Sequence, residues 1–308
     1  MRGGKTLNRK ISDFEIVTDK EMFKEENTKK KKKYFSWEIK KTPYISLGLL
    51  ILIIGGCILS PLIMTHNPRY MDLANSNISP NSSFYFGTDS MGRDIFSMIW
   101  DGGKISLFIG VFATIISTFI GVVYGSISGT ASQFIDSLMM RATEIIISIP
   151  SILIIIFIQA ILGNSNPVSI AIVIGITSWM NIAKIVRSEV RQMRNSEYIL
   201  AAKLMGGKFF YILKNHLLPN FISSIMFMVV CNIGSSIIKE STLSFLGIGL
   251  PIEVISWGSM LSLSEGALLS NSWWVILIPG IFLVITLVSI TNVGNYIRKK
   301  INKKSSNL

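Results

Sequence analysis

The chain has few of the residue types that hold metals or form disulfides: two cysteines and two histidines among 308 residues. Cys57 and Cys231 fall in apolar runs, where a cysteine usually behaves as a small hydrophobic residue. His66 and His216 lie far apart in the sequence, and the lysine and arginine positions predict that a membrane separates them. We therefore expect neither a disulfide scaffold nor a zinc site.

Recognisable catalytic motifs are also missing from the sequence. It has no GxSxG, HExxH or cysteine-pair motif, and GGKT at 3–6 lacks the first glycine and the preceding strand of a phosphate-binding loop. The carboxylates along its apolar part are separated rather than paired: Asp136, Glu144, Glu240, Glu253 and Glu265. An intramembrane enzyme is unsupported, so we expect a chain without a cofactor of its own that takes energy from a partner.

Charged residues make up only 16% of the chain, whereas 49% of the residues are hydrophobic and the mean hydropathy is +0.50. This balance excludes an ordinary soluble domain and predicts an all-α integral membrane protein. The net charge of +12 would suit nucleic acid, but the position of the charges decides what a basic chain binds. Here the charges follow a membrane topology.

Six segments are apolar over the roughly 20 residues that a spanning helix needs. The third and fourth share the uncharged run 145–183, which the turn signal GNSNP at 163–167 divides. Pro150 should kink the third span. The other spans are predicted at 44–64, 105–128, 217–238 and 273–297.

Lysine and arginine positions orient these spans. With a cytosolic N-terminus, 26 of the 30 Lys and Arg residues lie on the cytosolic side, as the positive-inside rule requires. Both termini are then cytosolic. The predicted order is a flexible basic tail (1–43), a first transmembrane helix (44–65), an extracytoplasmic loop (66–103), a five-helix core (104–297) with a cytosolic hairpin at about 191–218, and a basic tail (298–308).

Several features inside the predicted spans allow two interpretations. Gly121, Gly125 and Gly129 form two overlapping GxxxG spacings, which favour close helix packing over the lining of a conduit. Arg141 and Glu144 are spaced to pair across one helical turn, as an anchor or as a gate. Lys239 and Glu240 lie where charge is costly and should face protein or water, as a gate or in packing. The residues we assign to a gate or translocation pathway are Glu144, Asn232, Ser235, Ser236, Lys239 and Glu240.

A basic hairpin separates the fourth and fifth spans. Asn195 or Ser196 is suited to cap its first helix, Glu197 suits the positive end of that helix, and two glycines end it. A second helix with one apolar face follows until Pro219 opens the fifth span: Phe209, Phe210, Leu213 and Leu217. Its cationic surface, which suits an acidic groove, carries Arg191, Arg194, Lys203, Lys208 and Lys214.

These residues carry a family resemblance. LAA at 200–202, Gly206 and the helix end HLLPN at 216–220 resemble the EAA loop of permease subunits in ATP-binding cassette importers. FGTDSMGRDIF at 86–96, LSFLGIG at 243–249 and SWGSML at 256–261 are similar to signatures of the C-type subunit in the oligopeptide and dipeptide branch. The resemblance covers about 44–297 and implies the fold of type I importer permeases, in the bacterial plasma membrane.

The resemblance also implies partners: a homologous second permease subunit, two cytosolic ATPases that hold ATP and Mg, and an extracytoplasmic peptide-binding protein. The loop 66–103 and the segment 241–272 are placed to meet the binding protein or to cap the cavity, and Trp257, Trp273 and Trp274 suit the outer interface. The family's glutamate position is Leu200 here, which departs from the pattern. The residues expected to couple to an ATPase are Glu197, Leu200, Ala201, Ala202, Gly206, Gly207, His216 and Pro219.

Other functions remain open at this point. Related permeases import nickel or metal chelates, and the helices alone do not separate such cargo from oligopeptides. A self-sufficient channel or secondary transporter would function from this chain alone, and a membrane scaffold would support no ATP-dependent uptake. Oligopeptide import is the function that the branch resemblance favours.

Overall fold

A computed structural model of the chain describes residues 43–163, 165–251 and 253–305. Its regular backbone is helical, apart from one isolated β-bridge between Thr88 and Asp94, which confirms the all-α prediction. The predicted N-terminal tail, except Pro43, and GGKT within it lie outside the described residues, as do the last residues of the C-terminal tail.

Thirteen α-helices are described. They are α1 (Tyr44–Ile58), α2 (Ser60–Ile63), α3 (Ile95–Thr130), α4 (Gln133–Ser148), α5 (Ser151–Leu162), α6 (Pro167–Ile176), α7 (Met180–Met193), α8 (Glu197–Leu204), α9 (Phe209–Ile212), α10 (Leu218–Phe245), α11 (Trp257–Leu261), α12 (Ser264–Leu269) and α13 (Trp274–Ser305). A π-helical segment, Leu213–Leu217, joins α9 to α10.

Three of the described helices are individually long and apolar enough to cross a membrane: Ile95–Thr130, Phe209–Phe245 and Trp274–Lys300. The α4–α5 and α6–α7 pairs pass the same test as bent spans, with bends of 85° and 43°. α1, at 15 residues, is shorter than a full span. The described residues therefore hold three to five candidate spans, and six spans stay a prediction.

The breaks between these helices follow the turn residues in the sequence. Gly163, with φ of +69°, ends α5 in the left-handed conformation. Asn166 then begins α6, because its side chain accepts the Ser169 amide at 2.8 Å. Pro150 stands between α4 and α5, so the predicted kink is a break of 85°. The predicted turn is thus confirmed at its described residues, with Gly163 ending α5 and Asn166 beginning α6.

The helix α3 begins at Ile95, within the segment 66–103 that is predicted to be extracytoplasmic. Asp94 caps α3 by accepting the Phe96 and Ser97 amides at 3.3 and 3.2 Å. The polar sequence DGGK at 101–104 lowers the mean hydropathy around the first turns of α3, so hydropathy alone did not indicate a helix start before 105. The sequence signal for the start of α3 was Asp94, a residue type that favours the N-cap position.

The FGTDSMGRDIF motif lies in a compact turn over the beginning of α13. Asp89 and Arg93, both nearly inaccessible, form an ion pair of 2.7 Å. The Trp274 indole donates to the Thr88 carbonyl oxygen at 3.0 Å and is 8% exposed. Trp257 is completely buried, so only Trp273, 53% exposed, remains available to an outer interface. The placement of Trp257 and Trp274 at that interface was wrong, because both pack into the core.

The glycine spacing in α3 forms a helix-packing seam. A Cβ on Gly121 would lie 2.8 Å from the Ile182 side chain, and one on Gly129 would lie 2.8 Å from Val190. Gly125 lies against Val186 and the backbone of Ala183 in the same way. α3 and α7 therefore approach closely along this line, which confirms the packing interpretation of the GxxxG spacings.

Candidate functional site

The candidate site is the hairpin between α7 and α10, and it begins with α8. Glu197, the first residue of α8, places a carboxylate at the positive end of this helix. Ser196 holds the N-cap position, but its hydroxyl donates to the Met193 carbonyl oxygen at 2.7 Å and makes no capping bond. The prediction of a side-chain cap by Asn195 or Ser196 is wrong, because Ser196 closes the preceding turn.

Two glycines end α8, as predicted. The Gly206 amide donates to the Lys203 carbonyl oxygen at 3.0 Å, and the Gly207 amide donates to that of Ala202 at 2.9 Å. These bonds form a Schellman motif, which fixes the direction in which the chain leaves the helix. Gly206 has φ of +80° with no described heavy atom within 4 Å of a Cβ built on it. Backbone conformation, rather than space, requires glycine there.

The second arm of the hairpin continues without a break into the membrane helix. α9, the π-helical segment and α10 form one helix, Phe209–Phe245, of 37 residues. Pro219 lies in the first turn of α10, and the π-helical turn before it accommodates a nitrogen that has no hydrogen to donate. Pro219 therefore lies at the start of α10, as predicted, but no break separates α10 from the arm before it. The hairpin arm and the fifth predicted span are one element.

The inner face of the hairpin packs on α7. Leu213 and Leu217, 6% and 1% exposed, share a core with Val186 of α7. Phe210, which we assigned to this apolar face, is 69% exposed, and Ile212 takes its place in the core. The π-helical turn shifts the buried face by changing the angular step between residues.

The outer face of the hairpin exposes large apolar side chains. Leu204 and Met205 are 89% and 85% exposed, and the others on this face are Leu200, Phe210 and Tyr211. Between the two arms lies a cleft of about 660 Å³, lined by Tyr198, Ala201, Ala202, Met205, Gly206, Gly207, Lys208, Tyr211 and His216. The cleft brings together five of the predicted coupling residues. Glu197, Leu200 and Pro219 lie outside its lining.

The cationic surface of the hairpin is smaller than predicted. Arg194 donates to the backbone carbonyl oxygens of Gly129 and Ala131 at 3.3 and 3.2 Å. Arg191 donates to Asp136 at 2.9 Å. The exposed cations left for a partner are Lys203, Lys208 and Lys214.

A buried ion cluster that we had not predicted supports the base of the hairpin. Asp136 of α4 is 2% exposed and accepts hydrogen bonds from Ser128, Arg187 and Arg191. Arg187 binds it through two nitrogens, with the Nη2 to Oδ2 distance at 2.5 Å. Arg187 and Arg191 are four residues apart and therefore share one face of α7, which was the sequence signal that both could bind the same carboxylate. The cluster joins α3, α4 and α7.

The residues assigned to a gate or pathway do not converge on one site. Glu144 pairs with Arg141 at 3.4 Å, and both are largely exposed at a polar cleft of about 440 Å³. Asn232 donates to Ser117 of α3 at 2.6 Å. Ser235 is exposed, whereas Ser236 is buried with no described partner for its hydroxyl.

Lys239 and Glu240 bind different parts of the chain and do not pair with each other. The Glu240 carboxylate is fully buried and accepts hydrogen bonds from four serine hydroxyls, at 2.7 to 3.4 Å: Ser106, Ser241, Ser244 and Ser256. These bonds join α3, α10 and the loop before α11. The Glu240 carboxylate is therefore enclosed in the packing between these elements. Lys239 is half-buried and donates to Ser178 at 2.7 Å.

Comparison with known proteins matches the sequence of this chain to a family of transport components. Residues 121–304 match the family described as binding-protein-dependent transport system inner membrane component. The dipeptide transport system permease protein DppC of Bacillus subtilis is 34% identical over 86% of this chain and 83% of its own length. The oligopeptide transport system permease protein OppC of the same organism is 36% identical, over 86% of each chain. DppC of Alkalihalophilus pseudofirmus is 33% identical over 87% of this chain and 88% of its own.

The matched region holds the glycine seam, the ion cluster, the hairpin and the candidate spans from α4 to α13. The relatives are permease subunits, and the apolar helices suit a chain that crosses the bacterial plasma membrane several times. The recognition drawn from the sequence motifs is thereby confirmed. The chain belongs to the family of inner-membrane components of binding-protein-dependent transport systems.

Proposed function

We propose that this chain is the C-type permease subunit of an ATP-driven peptide importer, and that its hairpin couples cytosolic ATPases to the membrane helices. The names of the two Bacillus subtilis relatives refer to dipeptide and oligopeptide transport, which favours peptides over nickel or metal chelates as cargo. The proposed complex contains a homologous second permease subunit, two ATPases that hold ATP and Mg, and an extracytoplasmic binding protein. In the proposed topology the chain crosses the membrane six times, with both termini in the cytosol.

One observation carries this proposal: an exposed apolar hairpin is continuous with a 37-residue membrane helix. Exposed apolar patches of this kind mark protein contacts. The Schellman motif at Gly206 and Gly207 fixes α8 relative to α9, and Leu213 and Leu217 hold the second arm against α7. A displacement of the hairpin therefore reaches α10 and α7 together. No flexible linker separates the contact surface from the helices that it would move.

The residue at the family's glutamate position suits an apolar contact. Leu200 is 44% exposed and lies four residues before Leu204, so the two side chains share one face of α8. Met205 extends this surface beyond the helix end. Exposed Lys203 and Lys208 flank it. The complementary groove on the ATPase should be apolar at its centre and acidic at its edge.

The test is a valine at Gly206 in the assembled transporter. Valine at a φ of +80° strains the backbone by about 1–2 kcal/mol and displaces the Schellman turn. We expect less peptide uptake per ATP hydrolysed, with normal membrane insertion and assembly. Gly163→Val is the matched control, because Gly163 also has a left-handed backbone and open space around it but lies at the far end of α5. This control should leave the ratio of uptake to hydrolysis unchanged.

Two results would contradict the proposal. An unchanged ratio in Gly206→Val would show that the hairpin does not couple hydrolysis to transport. Peptide uptake by this chain alone in liposomes, without ATPases, would instead identify a channel or secondary transporter.

A further inference from the structure

Lys239 places a positive charge within a membrane helix without a carboxylate to neutralise it in the described part of the chain. Its Nζ atom donates to the Ser178 hydroxyl at 2.7 Å. The described lysine and arginine ion pairs involve other side chains, such as Lys104 with Asp101 and Arg187 with Asp136. A charged side chain at membrane depth is costly unless a partner or water compensates it.

The hydroxyl compensates only part of this charge. The Ser178 Oγ donates its own hydrogen to the Ile174 carbonyl oxygen at 2.6 Å, so its lone pairs face the ammonium group of Lys239. An ammonium group has three hydrogens to donate, and Ser178 accepts one of them. Two N–H groups remain without an acceptor among the described residues. The ammonium group of Lys239 thus has two hydrogens that it can donate to an anion from outside the described residues.

The neighbouring carboxylate, Glu240, does not neutralise the charge of Lys239. Glu240 points away into the protein, where serine hydroxyls occupy both of its oxygens. Lys239 instead lies on the side of α10 that also carries Asn232 and Ser235, at spacings of seven and four residues. Asn232 donates to Ser117 of α3, but Ser235, which lies between Asn232 and Lys239, is exposed. Part of this polar side of the helix is therefore open rather than packed against the chain's own core. Polar side chains of this kind in membrane helices mark water-filled pathways.

We propose that Lys239 binds the carboxylate of a transported substrate, namely the terminal carboxylate of a peptide, as it moves along this side of α10. This inference rests on the proposed function. Charge complementarity supports it, because every unmodified peptide carries a carboxylate. One ammonium and one hydroxyl form a weaker site than the bidentate fork of an arginine, and a pathway site must release its cargo.

The experiment compares two peptides in the complete transporter. Uptake of a pentapeptide with a free C-terminal carboxylate is measured against uptake of the same pentapeptide with a C-terminal amide, in cells that lack other peptide uptake. Lys239→Met removes the charge and keeps the approximate length, Lys239→Gln is a second neutral variant, and Lys239→Arg keeps the charge. Lys104→Met is the control, because it removes a lysine that already has a carboxylate partner, Asp101, in the chain.

We expect the neutral variants to raise the KM for the free-acid peptide about tenfold, the size expected for one charge-assisted hydrogen bond. Uptake of the amide should change less than twofold, and Lys239→Arg and Lys104→Met should retain the wild-type ratio of the two peptides. The wild type and all variants are measured with the same binding protein. Any preference of that protein for one peptide therefore affects all of them equally.

Other outcomes would overturn the inference. An equal loss for both peptides would assign Lys239 to a carboxylate of the second permease subunit or to packing. No change for either peptide would exclude any contact with cargo. A wild-type transporter that takes up neither this pentapeptide nor a dipeptide would refute the proposed function, and this inference with it.

Discussion

The ion cluster around Asp136 gives the sharpest stability prediction. Asp136→Asn keeps the size of the side chain but removes its charge and one of its acceptor oxygens. Three side chains, Ser128, Arg187 and Arg191, donate to the carboxylate, and the asparagine NH2 group would face guanidinium groups that can only donate. The bidentate contact with Arg187 would therefore be lost.

The magnitude follows from the burial of each partner. Removing one member of a fully buried ion pair costs about 3–5 kcal/mol. Asp136 is 2% exposed, but Arg187 and Arg191 are 26% and 38% exposed, so water can solvate them again after the change. We expect a cost of about 2–3 kcal/mol, close to the loss of one hydrogen bond between charged groups. This would lower the unfolding midpoint by about 5 °C or more.

The assay is thermal unfolding of the purified chain in detergent, followed as the fraction that stays monodisperse after heating. Glu144→Gln is the matched control on the same helix, because the Arg141–Glu144 pair is 81% and 52% exposed and is worth about 0–1 kcal/mol. The double variant Asp136→Asn, Arg187→Gln should cost less than the sum of its single changes. Equal shifts for Asp136→Asn and Glu144→Gln would refute the assignment of stability to the buried cluster.

Two further predictions concern helix packing and topology. Gly125→Ala should destabilise the chain by about 2 kcal/mol or more, because the new Cβ would lie 2.8 Å from Val186. Gly48→Ala is the control and should be neutral or slightly stabilising, because a Cβ there meets open space. Thermal unfolding measures both variants, and equal effects would contradict the packing seam. In a chain with both native cysteines replaced, an impermeant thiol reagent should label Leu73→Cys in intact cells and Lys208→Cys only after permeabilisation. Labelling of the latter from outside would place the hairpin on the wrong side for an ATPase.

Local sequence signals predicted much of the helical framework correctly. Gly163 and Asn166 marked the turn between α5 and α6, and Gly206 marked the end of α8, because left-handed backbone and side-chain caps favour specific residues whatever lies nearby. The spacing of Gly121, Gly125 and Gly129 also predicted a close helix contact.

Local sequence patterns were less able to predict whether two neighbouring helices are continuous. Pro219 indicated a helix start, and α10 does begin beside it, but a π-helical turn joins the hairpin arm to α10 without a break. Phe210 fitted a regular helical period and is nevertheless exposed, because that turn changes the period. Such irregular turns are stabilised by packing against α7, which lies outside any local window of sequence.

By itself the sequence determined the membrane character, the turn positions and the family motifs, since hydropathy, glycine conformation and proline chemistry act over a few neighbouring residues. Only the tertiary structure decided the partners of the buried charges. Asp136 meets Arg187 across 51 residues and Glu240 meets Ser106 across 134, and such pairs depend on which helices pack together. The same packing left Lys239 with a hydroxyl instead of a carboxylate.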